Sequence, residues 1–249
     1  HNGSQTVHGL RGYEPDKPFP TLVQVLAGAP PANSDPIRVD GPVGKQWRYS
    51  GGGFTIAQLM TSDAAGQDFP SLMKDRVFKP FGMDLSTYQQ PLPAARLGEA
   101  AVGYRAKAIA IDGLRNTYPE MAAAGLWTTP SDLARWVIGL QDAYAGRSAA
   151  VLDQKTAQAM LTPGMGDWGL GVEVKGQGRD LVFSHGGANE GFRNEMFGFP
   201  GRRQGVVIMT NSDAGEQVMG PLLHAIAASY GWPGFETKTI TPVAVKPGE

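Results

Sequence analysis

Two short strings, far apart in the chain, carry side chains able to take part in acyl transfer: Tyr49-Ser50-Gly51 within WRYSGGG, and His185-Gly186-Gly187 within FSHGGANEGF. A phenol has an ordinary pKa of about 10 and acts as a base at neutral pH only where nearby positive charge and a helix N-terminus stabilise the phenolate. Ile56, Leu59 and Met60 recur at helical spacing and predict such a helix from Phe54 to Ala65, with Tyr49 just ahead of its N-terminus. The plainer alternative is a half-buried tyrosine beside Trp47 that makes one hydrogen bond. In the second string, His185 ending a strand and followed by two glycines would let a substrate lie directly against the backbone. The amide of Ala188 would then be one donor of an oxyanion hole, a contact worth several kcal/mol of barrier. Glycines at a strand end also serve bulges and hairpins, so both readings of this string stand.

A serine nucleophile followed by lysine in an S-x-x-K pattern at a helix start would supply the acyl-enzyme step. One match occurs, Ser71-Leu72-Met73-Lys74 in FPSLMKDRVFKPFGM. Leu72, Met73, Val77 and Phe78 give that run the apolar face of an ordinary helix over about Pro70 to Phe78, and Ser71 suits its start. His8 and His224 show no metal-ligand spacing, so no metal is expected. Gly169-Leu170-Gly171 and Gly176-Gln177-Gly178 lack the third glycine and following helix of a dinucleotide fingerprint, and no cofactor is expected either. Glu190 and Glu195 form a poor carboxylate pair for sugar cleavage, because nothing at their proposed turn and strand raises one pKa. A place in the substrate wall suits Glu190 or Asn189 better.

The elements that must position these groups fall into two stretches. Before Pro163 the chain reads as helical and loop-rich: a helix in TLVQVLAG from Thr21, the two helices above, and mixed signals from Met83 to Glu120. A further helix opens at Thr129-Pro130-Ser131-Asp132, with Leu133, Trp136, Val137 and Leu140 at i, i+3, i+4 and i+7. A shorter one runs from Asp153 to Leu161. Then the period changes to extended, and WGLGVEV, DLVFSH, FRNEMFGF and QGVVIMT read as four strands whose short links imply antiparallel neighbours. A last amphipathic helix with Val218, Met219, Leu222, Leu223 and Ile226 would cover one face, and the tail after Pro233 reads as irregular. Residues 1–163 and 164–249 are therefore expected as a helical region and a sheet region.

With 249 residues the chain can bury a sizeable core, and 22 basic against 23 acidic residues give a net charge of −1 with no basic stripe. That balance offers nothing for nucleic acid or an anionic membrane, and favours a small, near-neutral substrate or a protein surface. Cysteine is absent, which removes disulfides and thiol nucleophiles. No apolar run has the length to span a bilayer, so no transmembrane segment is expected, and no leader is visible at His1.

The strings GAPPANSDPIRV, WRYSGGGF, FKPFGMDLSTY, EMAAAGLWTTPSDLARW, WGLGVEV, FSHGGANEGFRNEMFGFP and VVIMTNSDAG, in that order, resemble class C β-lactamase-like serine hydrolases of the β-lactamase and penicillin-binding-protein superfamily. The resemblance implies an α/β (α+β) fold of the β-lactamase/transpeptidase type, an antiparallel sheet flanked by helices plus a mostly helical region, with its N-terminal part missing. It implies Tyr49 and His185 as catalytic residues, with Ser50, Gly51, Gly186, Gly187, Ala188 and Asn189 lining the oxyanion and substrate site. It makes Ser71-x-x-Lys74 a decoy, because the family's serine and lysine precede the tyrosine; here they would lie upstream and leave the isolated chain inactive. The implied substrate is a small ester, amide or peptide, and the implied location periplasmic or secreted. Gly51 stands where many members carry asparagine, and His185 replaces a lysine, which points away from β-lactams toward an esterase, amidase or acyltransferase. The C-terminal strands would lack their N-terminal neighbours, leaving an open edge and an uncovered apolar face unless the missing segment stays bound. The rivals are a non-catalytic binder of peptidoglycan-like peptides or a protein partner, and catalysis by Ser71 and Lys74 themselves.

Overall fold

A computed structural model describes residues 10–236 except 16, 40 and 43; His8 and the tail from 237 lie outside the described residues. Local capping explains most of the helix starts. Helix α1 (Leu22–Ala27) opens on a reciprocal box, in which Thr21 Oγ1 accepts from Gln24 N at 3.2 Å and the Gln24 side chain accepts from Thr21 N at 2.8 Å. Helix α2 (Gly51–Ala65) begins three residues before the apolar spacing indicates, because Ser50 Oγ accepts from Gly53 N at 2.8 Å and draws the glycines into the first turn. Asp68 caps α3 (Phe69–Met73), which runs on through a π turn (Lys74–Phe78) into α4 (Lys79–Phe81). That helical stretch is longer than its sequence pattern shows.

The segment of mixed signals resolves into a 3₁₀ turn (Ala94–Glu99) and a small hairpin of β1 (Tyr104–Arg105) and β2 (Ile109–Ala110). A short α5 (Met121–Ala124) follows, then α6 (Pro130–Tyr144), capped by Thr129, and α7 (Gln154–Met160), capped by Asp153.

Strands β3 (Glu173–Lys175), β4 (Val182–Asn189), β5 (Phe192–Phe199) and β6 (Gln204–Thr210) form one antiparallel sheet in sequence order, and α8 (Glu216–Tyr230) follows. Two expectations need correction. WGLGVEV is not one strand: Gly171 at φ +87° turns the chain, and Trp168 meets Glu173 only through an isolated bridge. Nor does β4 end at His185, since Gly186 and Gly187 stay in register with Glu195 and Asn194 and the strand continues to Asn189.

Side-chain alternation gives the sheet two cores. Phe183 and Met196 face α6 and α7, packing with Val137, Leu140, Ala157 and Leu161. Phe199 and Ile208 face α8, packing with Met219, Leu223 and Ala227. Among the described residues β6 pairs only with β5, and on α8 Val218 and Leu222 remain 63% and 43% exposed. An open edge and exposed apolar side chains are thus both present.

Candidate active site

His185 lies two residues after Phe183 in β4, so its ring emerges on the α6 face of the sheet. Tyr49 arrives from the other wall, immediately before the N-cap of α2. Their ring centroids stand 6.2 Å apart. Trp168 closes a triangle with them, 5.8 Å from Tyr49 and 5.7 Å from His185, and Trp47 stacks on Trp168 at 5.1 Å. The chain turn at Gly171 brings Trp168 here. Its place was not legible in sequence, where WGLGVEV reads as a strand.

Tyr49 is half exposed, and the burial of its other half raises the phenol above 10. No charged neighbour among the described residues contributes to that shift. The phenol is therefore protonated at neutral pH: it can donate a proton, and needs a cation from elsewhere to act as a base. His185 Nδ1 bonds the Gly186 carbonyl oxygen. A carbonyl only accepts, so Nδ1 carries the hydrogen, and in the neutral ring Nε2 keeps its lone pair.

Strand β3 pairs with β4 only as far as Ser184, so from His185 to Asn189 the outer edge of β4 has no strand partner among the described residues. Gly186, Gly187 and Ala188 are exposed along that edge. An extended substrate could lie there. A Cβ on Gly187 would stand 3.7 Å from Asn194 Nδ2, which marks Asn194 as a neighbour of the site that the sequence did not single out.

The other expected site residues divide. Ser50 is 1% exposed, and its Oγ caps α2 directly after Tyr49. Gly51 opens α2, with Ala123 Cβ 3.9 Å from where its own Cβ would be. Asn189 Nδ2 donates to Ala124 O at 2.9 Å and ties β4 to α5. Glu190 is occupied by Arg105 at 2.8 Å and Asn116 at 3.0 Å, which makes it a brace for the β4–β5 turn. Glu195 faces α8, where burial and then Glu216 and Glu173 raise its pKa, so it forms no pair with Glu190. Ser71 and Lys74 sit just beyond the C-cap of α2, a helix of about 22 Å at 1.5 Å per residue, at the end opposite Tyr49.

A cavity of about 500 Å³ is lined by Asn189 at the end of β4, by Asn194 of β5, and by Ala124, Trp127 and Thr128. Tyr49 and His185 do not line it; the link to them runs along β4, where Asn189 lies four residues beyond His185. No helix among the described residues is long and apolar enough to cross a membrane.

Among curated relatives, a D-aminopeptidase of Brucella anthropi is 22% identical over 178 residues, 69% of this chain and 33% of that protein. A D-aminopeptidase of Gluconobacter oxydans is 25% identical over 195 residues, 76% of this chain and 36% of that protein. The chain thus spans about a third of the length of the curated relatives it matches. Among solved structures, the octameric penicillin-binding protein homologue from Pyrococcus abyssi superposes with a TM-score of 0.65 at 18% identity, covering 87% of this chain and 49% of that one. Its likeness shows the fold, a β-lactamase/transpeptidase fold of helices and antiparallel sheet. The family model described as Beta-lactamase matches residues 5–230, and the chain belongs to that family of serine hydrolases.

Proposed function

We propose that this chain carries the proton-transfer and substrate-strand half of a serine hydrolase that opens an ester or amide through an acyl-serine. The observation that carries the reading is the 6.2 Å approach of the Tyr49 and His185 rings beside an open strand edge. Tyr49 passes protons at the leaving group, and His185 Nε2 accepts a hydrogen bond from substrate. The exposed β4 backbone through Ala188 supplies one oxyanion donor. With its phenol held protonated by burial, Tyr49 would need a cation such as lysine from outside the described residues to act as a base. Residues upstream of His1 are proposed to bring it, in an S-x-x-K pair, and without them the chain is inactive. Kinship with D-aminopeptidases makes amides of D-amino acids the first class to test, and a periplasmic or secreted location goes with the same kinship.

A fluorophosphonate probe on the full-length gene product tests this. Covalent labelling at a serine upstream of His1, unchanged in Ser71→Ala, is the expected result. Absence of labelling in a folded full-length protein favours a non-catalytic binder of peptides or a partner through the same cleft. Labelling lost in Ser71→Ala moves catalysis to Ser71 and Lys74.

A further inference from the structure

We infer that the cavity beside β4 takes an uncharged, largely apolar tail of the acyl group and rejects a tail that ends in an ammonium. The inference rests on the acyl-transfer reading of Tyr49 and His185, which fixes where the reacting carbonyl lies. His185, Gly187 and Asn189 share one face of β4, and Asn189 stands about 7 Å along the strand from Gly187 at ~3.3 Å per residue. Asn194 pairs with Gly187, and both Asn189 and Asn194 line the cavity. A carbonyl held against the backbone at Gly187 would therefore send its substituent past Asn194 and inward.

The wall decides what fits. Leu85, Leu92, Leu126, Trp127, Phe192 and Met209 supply apolar surface. Three charged side chains line the cavity: Arg96, Glu99 and Glu190. Arg96 holds Glu99 at 2.9 Å and the Leu85 carbonyl at 2.8 Å. Glu190 has one oxygen on Arg105 and the other on Asn116. The amides are largely spent as well, with both ends of Gln90 bonded, to Gly125 O and Tyr118 N, and Asn189 bonded to Ala124. Asn194 alone among these amides has no hydrogen-bond partner among the described residues, and it offers a neutral donor and acceptor. An ammonium entering here would lose water and find each carboxylate already neutralised, whereas a methylene chain loses nothing.

The probes are hexanamide and 5-aminopentanamide, equal in length and differing by a terminal methyl against a charged ammonium at pH 7. Their dissociation constants for the chain are measured by calorimetry, together with Asn194→Asp and Leu92→Trp. Hexanamide is expected to bind at least tenfold more tightly. Asn194→Asp should narrow or invert that ratio by about tenfold, and Leu92→Trp should weaken hexanamide about tenfold by filling the cavity. Equal or tighter binding of the amine, or a ratio that neither substitution moves, overturns the inference. Equilibrium binding needs no serine, so a failure of the covalent-labelling test leaves this result standing. Lost selectivity with labelling intact sinks this inference alone.

Discussion

Two titratable groups show how far the surroundings of a residue override its type. Tyr49, lifted above 10 by burial alone, donates in its resting state. Tyr49→Phe in the full-length protein should lower kcat by about 10²–10⁴, the range of general acid–base catalysis, while thermal unfolding stays put because half the ring faces solvent. A kcat within threefold of the parent would remove Tyr49 from the chemistry. Glu120 is the opposite case, 2% exposed with Oε2 lacking any partner, and burial raises its carboxyl above the ordinary 4.5. The folded state then holds this proton more tightly than the unfolded one. Its contribution is favourable below the unfolded pKa and is lost as pH rises through the folded pKa. Glu120→Gln should therefore unfold at a higher temperature than the parent at pH 7 and lose that advantage by pH 4. A difference between the two proteins that does not change with pH would refute this. Tyr49 and His185 were legible as a pair only through resemblance to a family, since nothing in 135 intervening residues says they meet. Glu120 was not legible at all: an acid ahead of Met-Ala-Ala-Ala looks like a solvated helix start, and only tertiary packing buries it.

Elements were legible where their chemistry is local. Thr129 and Asp153 announce the helices they cap, whereas Ser71, read as suiting a helix start, lies inside α3, which Asp68 caps; QGVVIMT and FRNEMFGF became strands over their full length. What failed depends on partners distant in sequence. Gly186 and Gly187 read as strand breakers, yet β5 holds them in register, and no periodicity marks the two-residue strands before Ile111. The start of α6 joins both kinds of information. Asp132 Oδ2 accepts from Leu85 N and Ser86 Oγ, each at 2.9 Å, and Oδ1 accepts from Arg135 at 2.8 Å. Its side chain is 3% exposed, so it pins the Leu85 loop and the first turn of α6 together where both wall the cavity. Asp132→Ala leaves these donors without their acceptor and should cost about 2–4 kcal/mol. Thr129→Ala removes only the cap and should cost about 1 kcal/mol. Urea unfolding separates the two, and equal losses would mean that Asp132 acts as no more than a first-turn acid.

At the scale of the whole molecule, a sheet packed on both faces still has one long edge strand with no second strand partner among the described residues. Strand β6 reads QGVVIMT, with no charge and no proline, and has a neighbour on one side only among the described residues. Beyond it, α8 shows Val218 and Leu222, one helical turn apart, to solvent. Natural edges are usually blunted by lysine, proline or a bulge, and a net charge of −1 gives little repulsion between copies. At tens of micromolar the chain should therefore sediment as a dimer or larger species. Val218→Lys with Leu222→Glu should shift it toward monomer, and because each exposed position changes stability by about 0.5 kcal/mol or less, the Tm should move by no more than about 4 °C. If a peptide of the upstream residues also fills this face, adding it should give the same monomer together with a higher Tm. A chain that is monomeric without help, and indifferent to both treatments, would show that the edge and the α8 stripe are stable in water as they stand and that no upstream segment is needed there.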